Sequence, residues 1–390
     1  MKTKFSLALL VLLPTFSWLS GEAWPVIYRF PIETNFMKLP EVEVSRKSYS
    51  NYYSLLLPLY LATMPVTTAA FNRDMGKAIL ISPDVITKVG SLVFFDRDAG
   101  ILQRFPGLVF PVDWAVLTEK ADRLVFASER LGQEKKIYTV AFSNYALDPN
   151  PNYQLMVDRV GRADWPSITP SGSRIAFQSD HDRRRTRIYV GDIDPSGRIS
   201  NEFVVEGTGA NGYRPRISAT GLKLVYIQQA ASSHQLIYAD LQAKICYPIW
   251  NEMRMEGSVD LSADGEQIVF EAGRENQGDI FLVNFKKSVI WNLSRRDSAL
   301  YGDPSELNSE NSDCAMSEDG SVIAYQCRGR WDVSAVKVID FRAKKTWHIR
   351  DAFENKGHPF LSKDGNTLVF LVDKKRPYVV DLKRLREPGS

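Results

Sequence analysis

Six segments of the chain repeat one pattern of apolar and polar positions around a turn. An apolar residue and then a hydroxyl residue come four and three positions before the turn residue, and three consecutive apolar residues follow it. Uninterrupted apolar runs are typical of strands that are buried on both faces. The pattern therefore predicts a hairpin of two inner strands in each segment, with its turn at Ala121, Gly172, Gly221, Gly265, Gly320 or Gly365.

The polar positions of the pattern predict how each turn is held. A short hydroxyl side chain can hydrogen-bond to the backbone of a turn, and all six segments carry one. Glycine fills five of the six turn positions, where it permits a positive φ that is costly for other residues. The hydroxyl residues are Thr118, Thr169, Ser218, Ser262, Ser317 and Ser362.

The length and content of the repeat predict an all-β propeller. The turn positions recur every 44 to 55 residues, and most hairpins are followed by a third strand such as 187–192 and a weaker fourth strand such as 289–294. A four-stranded unit of this length is typical of a propeller blade. Sheets that stack face to face around an axis bury both of their faces, as the apolar runs require.

The repeats leave the number of blades at six or seven. Residues 91–96 and 101–105 resemble a third and a fourth strand, so the ring has seven blades if 41–84 supplies their inner hairpin. Otherwise it has six, and 24 to about 91 is an appended segment; we favour seven. The last unit stops near Asp381 after its third strand, so we expect an N-terminal strand, with Val26–Phe30 as the candidate, to close the ring.

The N-terminus has the features of a secretory signal peptide. Lys2 and Lys4 precede an uncharged, mostly apolar stretch of fifteen residues, and small residues end the segment at Ala23. That stretch is short for a membrane anchor, which needs about 20 apolar residues. We expect cleavage after Ala23 and a periplasmic location. The chain then divides into the signal peptide 1–23, an N-terminal segment 24–106 with the closing strand and a first blade, and the propeller repeats 107–390.

Composition and charge exclude several classes of protein. The chain is 44% hydrophobic and 24% charged, which is ordinary for a folded protein. Its 49 basic and 46 acidic residues give no argument for nucleic-acid binding. The uncharged stretch 48–72 favours buried strands or a packed helix over a transmembrane helix, because its strongly apolar part is short. We therefore expect neither a nucleic-acid partner nor an integral membrane protein.

The three cysteines are too few for a disulfide-built scaffold. Cys314 and Cys327 flank the turn at Gly320 almost symmetrically, so their strands should place them near each other. Export permits oxidation. The sequence therefore allows either a disulfide between Cys314 and Cys327 or two free thiols at these positions. Cys246 is expected to be a free thiol in both cases.

The repeats resemble those of the TolB-like propeller family. The best match runs from Trp165 through the turn at Gly172 to Asp192, where Ser179-Asp180 precedes an Ile-Tyr strand, and the resemblance covers about 113–382. It implies a non-catalytic periplasmic scaffold that binds a protein or peptide of the cell envelope. The partners it suggests are a peptidoglycan-associated lipoprotein or a Tol-type membrane protein.

Sequence motifs for catalysis and cofactors are missing. The sequence has no Gly-x-Ser-x-Gly elbow, no Walker loop and no His-Glu-x-x-His, and none of its four histidines pair at metal-ligand spacing. We therefore expect no enzymatic activity, no metal site and no cofactor. The alternative is a carbohydrate-active or other enzyme that works at the channel mouth, because propellers also host enzymes.

One column of the repeat varies where the others are uniform. It lies seven positions before each turn residue, at the start of the innermost strand, so its side chains should ring one mouth of the central channel. Trp, Tyr and Arg are favoured at protein-recognition hot spots. We expect the fold to place few constraints on the residue type at these positions, and we expect this ring of side chains to bind the partner. The alternative is that the rim tolerates any residue and has no binding role. The candidate residues, with one neighbour of the column, are Trp114, Trp165, Tyr213, Arg214, Asp313 and His358.

Overall fold

The computed structural model describes residues 33–36, 39–44, 53–55, 68–72, 74–83, 90–96, 101–105, 112–129, 134–142, 152–181, 185–205, 211–230, 233–253, 257–274, 277–294, 311–328, 334–349, 356–373 and 376–387. This part of the chain contains thirty strands and one short helix. Among its elements, no helix has the length and apolar character needed to cross a bilayer.

Three short strands precede the first blade. They are β1 (Glu33–Phe36), β2 (Glu41–Val44) and β3 (Tyr53–Leu55). Blade 1 consists of β4 (Thr68–Phe71), β5 (Lys77–Pro83), β6 (Gly90–Asp96) and β7 (Ile101–Arg104). Its inner hairpin, β4 and β5, lies within the segment that the seven-bladed alternative required.

The next three blades follow the repeat directly. Blade 2 consists of β8 (Val112–Leu117), β9 (Arg123–Ser128), β10 (Lys136–Ala141) and β11 (Gln154–Leu155). Blade 3 consists of β12 (Ala163–Ile168), β13 (Arg174–Ser179), β14 (Arg187–Ile193) and β15 (Ile199–Val205). Blade 4 consists of β16 (Gly212–Ile217), β17 (Lys223–Gln229), β18 (His234–Asp240) and β19 (Ile245–Met253).

The last three blades complete a ring of seven. Blade 5 consists of β20 (Val259–Leu261), β21 (Gln267–Arg274), β22 (Gln277–Asn284) and β23 (Val289–Asn292). Blade 6 consists of β24 (Asn311–Met316), β25 (Val322–Arg328), β26 (Ser334–Asp340) and β27 (Lys345–Ile349). Blade 7 has β28 (Lys356–Leu361), β29 (Thr367–Val372) and β30 (Arg376–Asp381), followed by helix α1 (Leu382–Arg386). The expected all-β propeller and the preferred count of seven blades are confirmed.

The strands before blade 1 lie along the outer edges of the last three blades. β1 pairs in parallel with β23, and β2 pairs in parallel with β27. β3 pairs antiparallel with β30 and occupies the fourth position in the sheet of blade 7. The candidate closing strand Val26–Phe30 and the signal peptide lie outside the described residues.

Seven hydrophobic clusters lie between adjacent blades and account for the burial of both sheet faces. Along β17, for example, Leu224 and Tyr226 pack toward blade 3, whereas Val225 and Ile227 pack toward blade 5. The cluster between blades 7 and 1 joins Val369 and Leu371 to Leu80 and other residues of blade 1. Because every neighbouring pair of blades shares such a cluster, the ring is continuous.

The turns have the geometry that the repeat predicts. In all six units the hydroxyl oxygen accepts a hydrogen bond from the backbone N–H five residues later, at 2.8–3.1 Å. The turn glycines have φ between 67° and 71°, and Ala121 takes the same region at 54°. Both predictions about the turns are therefore confirmed.

The disulfide alternative is not what the structure shows: all three cysteines are buried thiols. The reason is the register of β24 and β25. Cys327 lies opposite Asn311, and a bulge between Ser312 and Ala315 shifts the pairing before Cys314 is reached. The Sγ of Cys314 instead accepts a hydrogen bond at 3.2 Å from the Oγ of Ser258, in the neighbouring blade.

Candidate binding site at the channel mouth

The variable column lies at β-bulges of the innermost strands. The register of the first two strands shifts at this point in blades 2, 3, 4, 6 and 7. Four of the residues have positive φ, between 49° and 53°, namely Trp165, Arg214, Asp313 and His358. Bulky side chains rarely adopt this conformation, and such strain clusters at functional sites. The expectation that the fold demands little here is therefore wrong.

Polar side chains of blade 3 hold the strained backbone in place. The carboxylate of Asp164 accepts a hydrogen bond from the backbone N–H of Trp165 at 2.8 Å, and the buried amine of Lys135 lies 3.3 Å from the same carboxylate. The side chain of Gln178 accepts a hydrogen bond from the backbone N–H of Arg214 at 2.9 Å. These contacts fix the direction in which the Trp165 and Arg214 side chains leave the bulge.

Two tryptophans from adjacent blades pack against each other. The ring centroids of Trp114 and Trp165 are 4.4 Å apart, with an angle of 40° between the ring planes. The Nε1–H of Trp114 donates a hydrogen bond to the carbonyl of Pro166 at 3.0 Å. Both rings are partly exposed, and their polar and apolar contacts hold them in one orientation.

Two arginines of β16 extend this aromatic pair into a four-membered stack. The guanidinium of Arg214 lies 4.2 Å from the Trp165 ring centroid, and that of Arg216 lies 4.6 Å from the Trp114 ring centroid. Cation–π contacts of this kind contribute about 0.5–2 kcal/mol each, depending on desolvation. Arg216 was missed by the sequence reasoning, because the bulge in β16 between Tyr213 and Arg216 interrupts the regular alternation of side chains.

The environment of Arg216 is unfavourable to its charge. Burial near the centre of the ring lowers the pKa of Arg216, and the charge of Arg214 adds to this effect. The charge of Asp260 acts in the opposite direction. The residue is nevertheless only partly buried.

Asp313 and His358 form a second pair at the mouth. The Nδ1 of His358 lies 3.0 Å from a carboxylate oxygen of Asp313, and the two side chains are 38% and 37% exposed. Both residues have positive φ at the bulges of blades 6 and 7. An imidazole held by a carboxylate can exchange protons with a ligand at its other nitrogen.

The structure thus divides the six predicted residues into groups. Trp114, Trp165 and Arg214 are together in the stack that we call the Trp–Arg stack, which Arg216 completes. Asp313 and His358 form the Asp–His pair. Tyr213 belongs to neither group, because its ring packs against the cluster between blades 4 and 5 and near the ring of His234.

The other histidines have local partners. The hydroxyl of Tyr189 lies 2.6 Å from the Nδ1 of His181, and the Sγ of Cys327 lies 3.9 Å from the Nε2 of His348. Within the part of the chain that the structure describes, no three His, Cys, Asp or Glu side chains are grouped so that they could hold a metal ion.

Comparison with known proteins identifies similar structures but no sequence relative. No protein-family model matches the chain, and no curated protein matches its sequence. Oligogalacturonate lyase from Vibrio parahaemolyticus matches with a TM-score of 0.60 at 10% identity, covering 86% of this chain and 94% of the lyase. A puromycin-hydrolyzing peptidase from Mycobacterium tuberculosis matches with a TM-score of 0.50 at 13% identity, covering 70% of this chain and 43% of the peptidase.

TolB structures are also among the similar ones. TolB from Acinetobacter baumannii has a TM-score of 0.46 at 14% identity, with 78% of each chain covered. The seven blades of this chain confirm the expected β-propeller as a fold. The expectation that the chain is not an enzyme is corrected, because enzymes are among the structures that share its fold. The propeller therefore gives no ground for excluding catalysis.

Proposed function

We propose that the chain is an exported propeller that binds a protein or peptide of the cell envelope at the channel mouth. The observation that carries this proposal is the Trp–Arg stack. Its four large side chains are fixed by packing and remain partly exposed. Rigid tryptophans and arginines give a large contact area at a low cost in conformational entropy, which is why they dominate recognition hot spots.

The periplasmic location is part of the same proposal. It rests on the signal peptide at 1–23, with its basic start, its short apolar stretch and its small residues before the expected cleavage point. A peptidoglycan-associated lipoprotein or a Tol-type membrane protein is the candidate partner.

The test is capture of an envelope partner by the mature protein and its variants. Trp165→Ala should abolish capture, because truncation of a hot-spot residue costs more than about 2 kcal/mol, or about thirtyfold in affinity. Trp291→Ala, which removes a half-buried tryptophan of the outer strand β23, is the matched control and should retain capture. Normal capture by Trp165→Ala would place the interaction on another face.

Catalysis at the same mouth is the second candidate function, and the Asp–His pair favours it. Asp313 would orient His358, whose imidazole would act as a general base on a ligand in the channel. Envelope oligosaccharides are the first substrates to screen. Turnover that His358→Gln abolishes and Asp313→Asn reduces would support this function, whereas equal turnover by wild type and His358→Gln would contradict it.

A further inference from the structure

Arg216 is a cation for which the described part of the chain provides no anionic partner. Among the described residues, no carboxylate lies within ion-pairing distance of its guanidinium, and no acceptor takes a hydrogen bond from it. A guanidinium carries five N–H donors, and taking such a charge out of water is costly unless it is paired. The guanidinium of Arg216 lies over the face of Trp114, and an aromatic face cannot accept two parallel hydrogen bonds from a guanidinium as a carboxylate does.

Asp260, the carboxylate whose charge acts on Arg216, is engaged elsewhere. One carboxylate oxygen of Asp260 accepts a hydrogen bond from the backbone N–H of Leu261 at 2.9 Å, and the other accepts from the backbone N–H of Met316 at 3.0 Å. Asp260 thus joins the inner strands of blades 5 and 6 rather than pairing with Arg216. Its charge still favours the charged form of Arg216 from a distance.

The surroundings of Arg216 leave the residue accessible to a ligand and fix its position. Ser167, at the corresponding position of blade 3, is small and turned to the backbone, where its Oγ accepts a hydrogen bond from the N–H of Ile217 at 3.1 Å. This leaves space for Arg216 to cross blade 3 and lie over Trp114 of blade 2. The guanidinium of Arg214 lies over Trp165, the neighbour of Trp114 in the stack, and its positive charge also acts on Arg216.

We propose that the channel mouth recognises a carboxylate group of an acidic peptide segment, which Arg216 binds and which the positive charge of Arg214 helps to attract. This inference rests on the proposed partner binding and adds the chemistry of the ligand. Guanidinium groups match carboxylates with two parallel hydrogen bonds, and these bonds are strong because both partners are charged. The bound carboxylate would supply the negative charge that the described residues do not place beside Arg216.

The test is calorimetric titration of the mature protein with an oligoglutamate peptide and a length-matched glycine–serine peptide. Oligoglutamate should bind and the neutral peptide should not. Arg216→Gln should weaken oligoglutamate binding by about tenfold or more, as loss of a charge-assisted hydrogen bond predicts. Arg198→Gln is the matched control, because Arg198 is exposed at the turn between β14 and β15, and it should bind as the wild type does.

The thermal midpoint separates recognition from a structural role. Because Arg216→Gln removes an unpaired charge, its midpoint should equal or exceed that of the wild type without ligand. If Arg216→Gln melts earlier than the wild type, the folded variant Arg216→Lys is titrated instead. Weaker oligoglutamate binding by Arg216→Lys supports recognition by the two-pronged guanidinium, and binding equal to that of the wild type overturns it. Absent oligoglutamate binding, or equal binding by Arg216→Gln, also overturns the inference. The proposed partner binding would still stand if Trp165→Ala lost capture.

Discussion

The aspartates of the Asp-Gly turns do more than favour a tight turn. In the last three repeats, the serine hydroxyl donates a hydrogen bond to the aspartate two residues later, at 2.6–2.8 Å, while its oxygen accepts from the backbone. In blade 6 the carboxylate of Asp319 also accepts from the backbone N–H of Ser321 at 3.0 Å and from Arg342 at 2.7 Å. The turn is thus held by a charged group.

The charge of Asp319 should make the stability of the protein depend on acid pH. Burial alone would raise the pKa of Asp319, but hydrogen bonds from Ser321 and Arg342 outweigh it and lower the pKa from 3.8 to about 2. A lowered pKa in the folded state contributes stability above the unfolded value that is lost as the pH falls through the folded one. Asp319→Asn should therefore melt below the wild type at neutral pH, and the gap should close between about pH 4 and pH 2.

The expected gap is modest because the Asp319 side chain is half exposed. Thermal melts of both proteins across this pH range provide the measurement. Asp158→Asn, at an exposed position away from these turns, serves as the control and should follow the wild type. A gap between wild type and Asp319→Asn that stays constant with pH would contradict the prediction.

Sequence reasoning at the residue scale succeeded where the fold repeats and failed where it does not. The hydroxyl and glycine columns were predictable because six copies show what one turn requires. Arg216 and the positive φ at Trp165 were not predictable, since the bulge that produces them adds no distinctive residue to the pattern. The register of the strands that carry Cys314 and Cys327 was unpredictable for the same reason, since a bulge shifts their pairing.

At the scale of elements, the apolar runs located the strands of the repeats but not helix α1. Five residues are too few to form a stable helix in isolation, so tertiary contacts must hold them. Leu382 and Leu385 are buried in the cluster between blades 6 and 7. The guanidinium of Arg386 pairs with Asp340 of blade 6 at 2.6 Å and donates to the carbonyl of Gly365 in blade 7 at 2.7 Å. The helix therefore links two blades.

Arg386→Ala should destabilise the protein by about 1–3 kcal/mol, the cost of leaving a buried acceptor without its partner. Asp340 is 0% exposed, and the backbone N–H groups of Arg342 and Ala343 would remain as its donors. Arg384→Ala is the control on the same helix: its ion pair with Asp381 is exposed, so the loss should stay below about 1 kcal/mol. Denaturant unfolding measures both, and equal effects would mean that Arg386 does not link the blades.

At the scale of the whole molecule, the number of blades followed from the repeats, but the route of the N-terminal segment did not. Blade 1 lacks the Ser-x-Asp-Gly turn, and its inner hairpin instead turns at Asn72 and Asp74, whose side chains accept backbone hydrogen bonds at 2.8 Å. β1 and β2 add parallel strands to blades 5 and 6. The repeat pattern does not predict these two pairings. Both strands have only a few residues each, too few for a reliable hydrophobic period.

Two separate contacts involve the last blade of the ring, and truncations can measure how much each contributes to thermal stability. The cluster between blades 7 and 1 joins the two end blades, with Phe71 and Phe360 packed at 5.2 Å beside the axis. The pairing of β3 with β30 covers the outer edge of blade 7. We predict that removal of residues 24–55, which contain β1 to β3, lowers the thermal midpoint sharply because three blades then expose unpaired strand edges.

Removal of residues 24–31 alone distinguishes the two candidate closing strands. It deletes Val26–Phe30 and keeps β3, so we expect a midpoint close to that of the untruncated protein if β3 is the strand that covers blade 7. A protein without 24–31 that melts as early as one without 24–55 would instead assign closure to Val26–Phe30. If both truncations melt like the parent, the apolar cluster between blades 7 and 1 closes the ring by itself, since that cluster is the contact common to both variants.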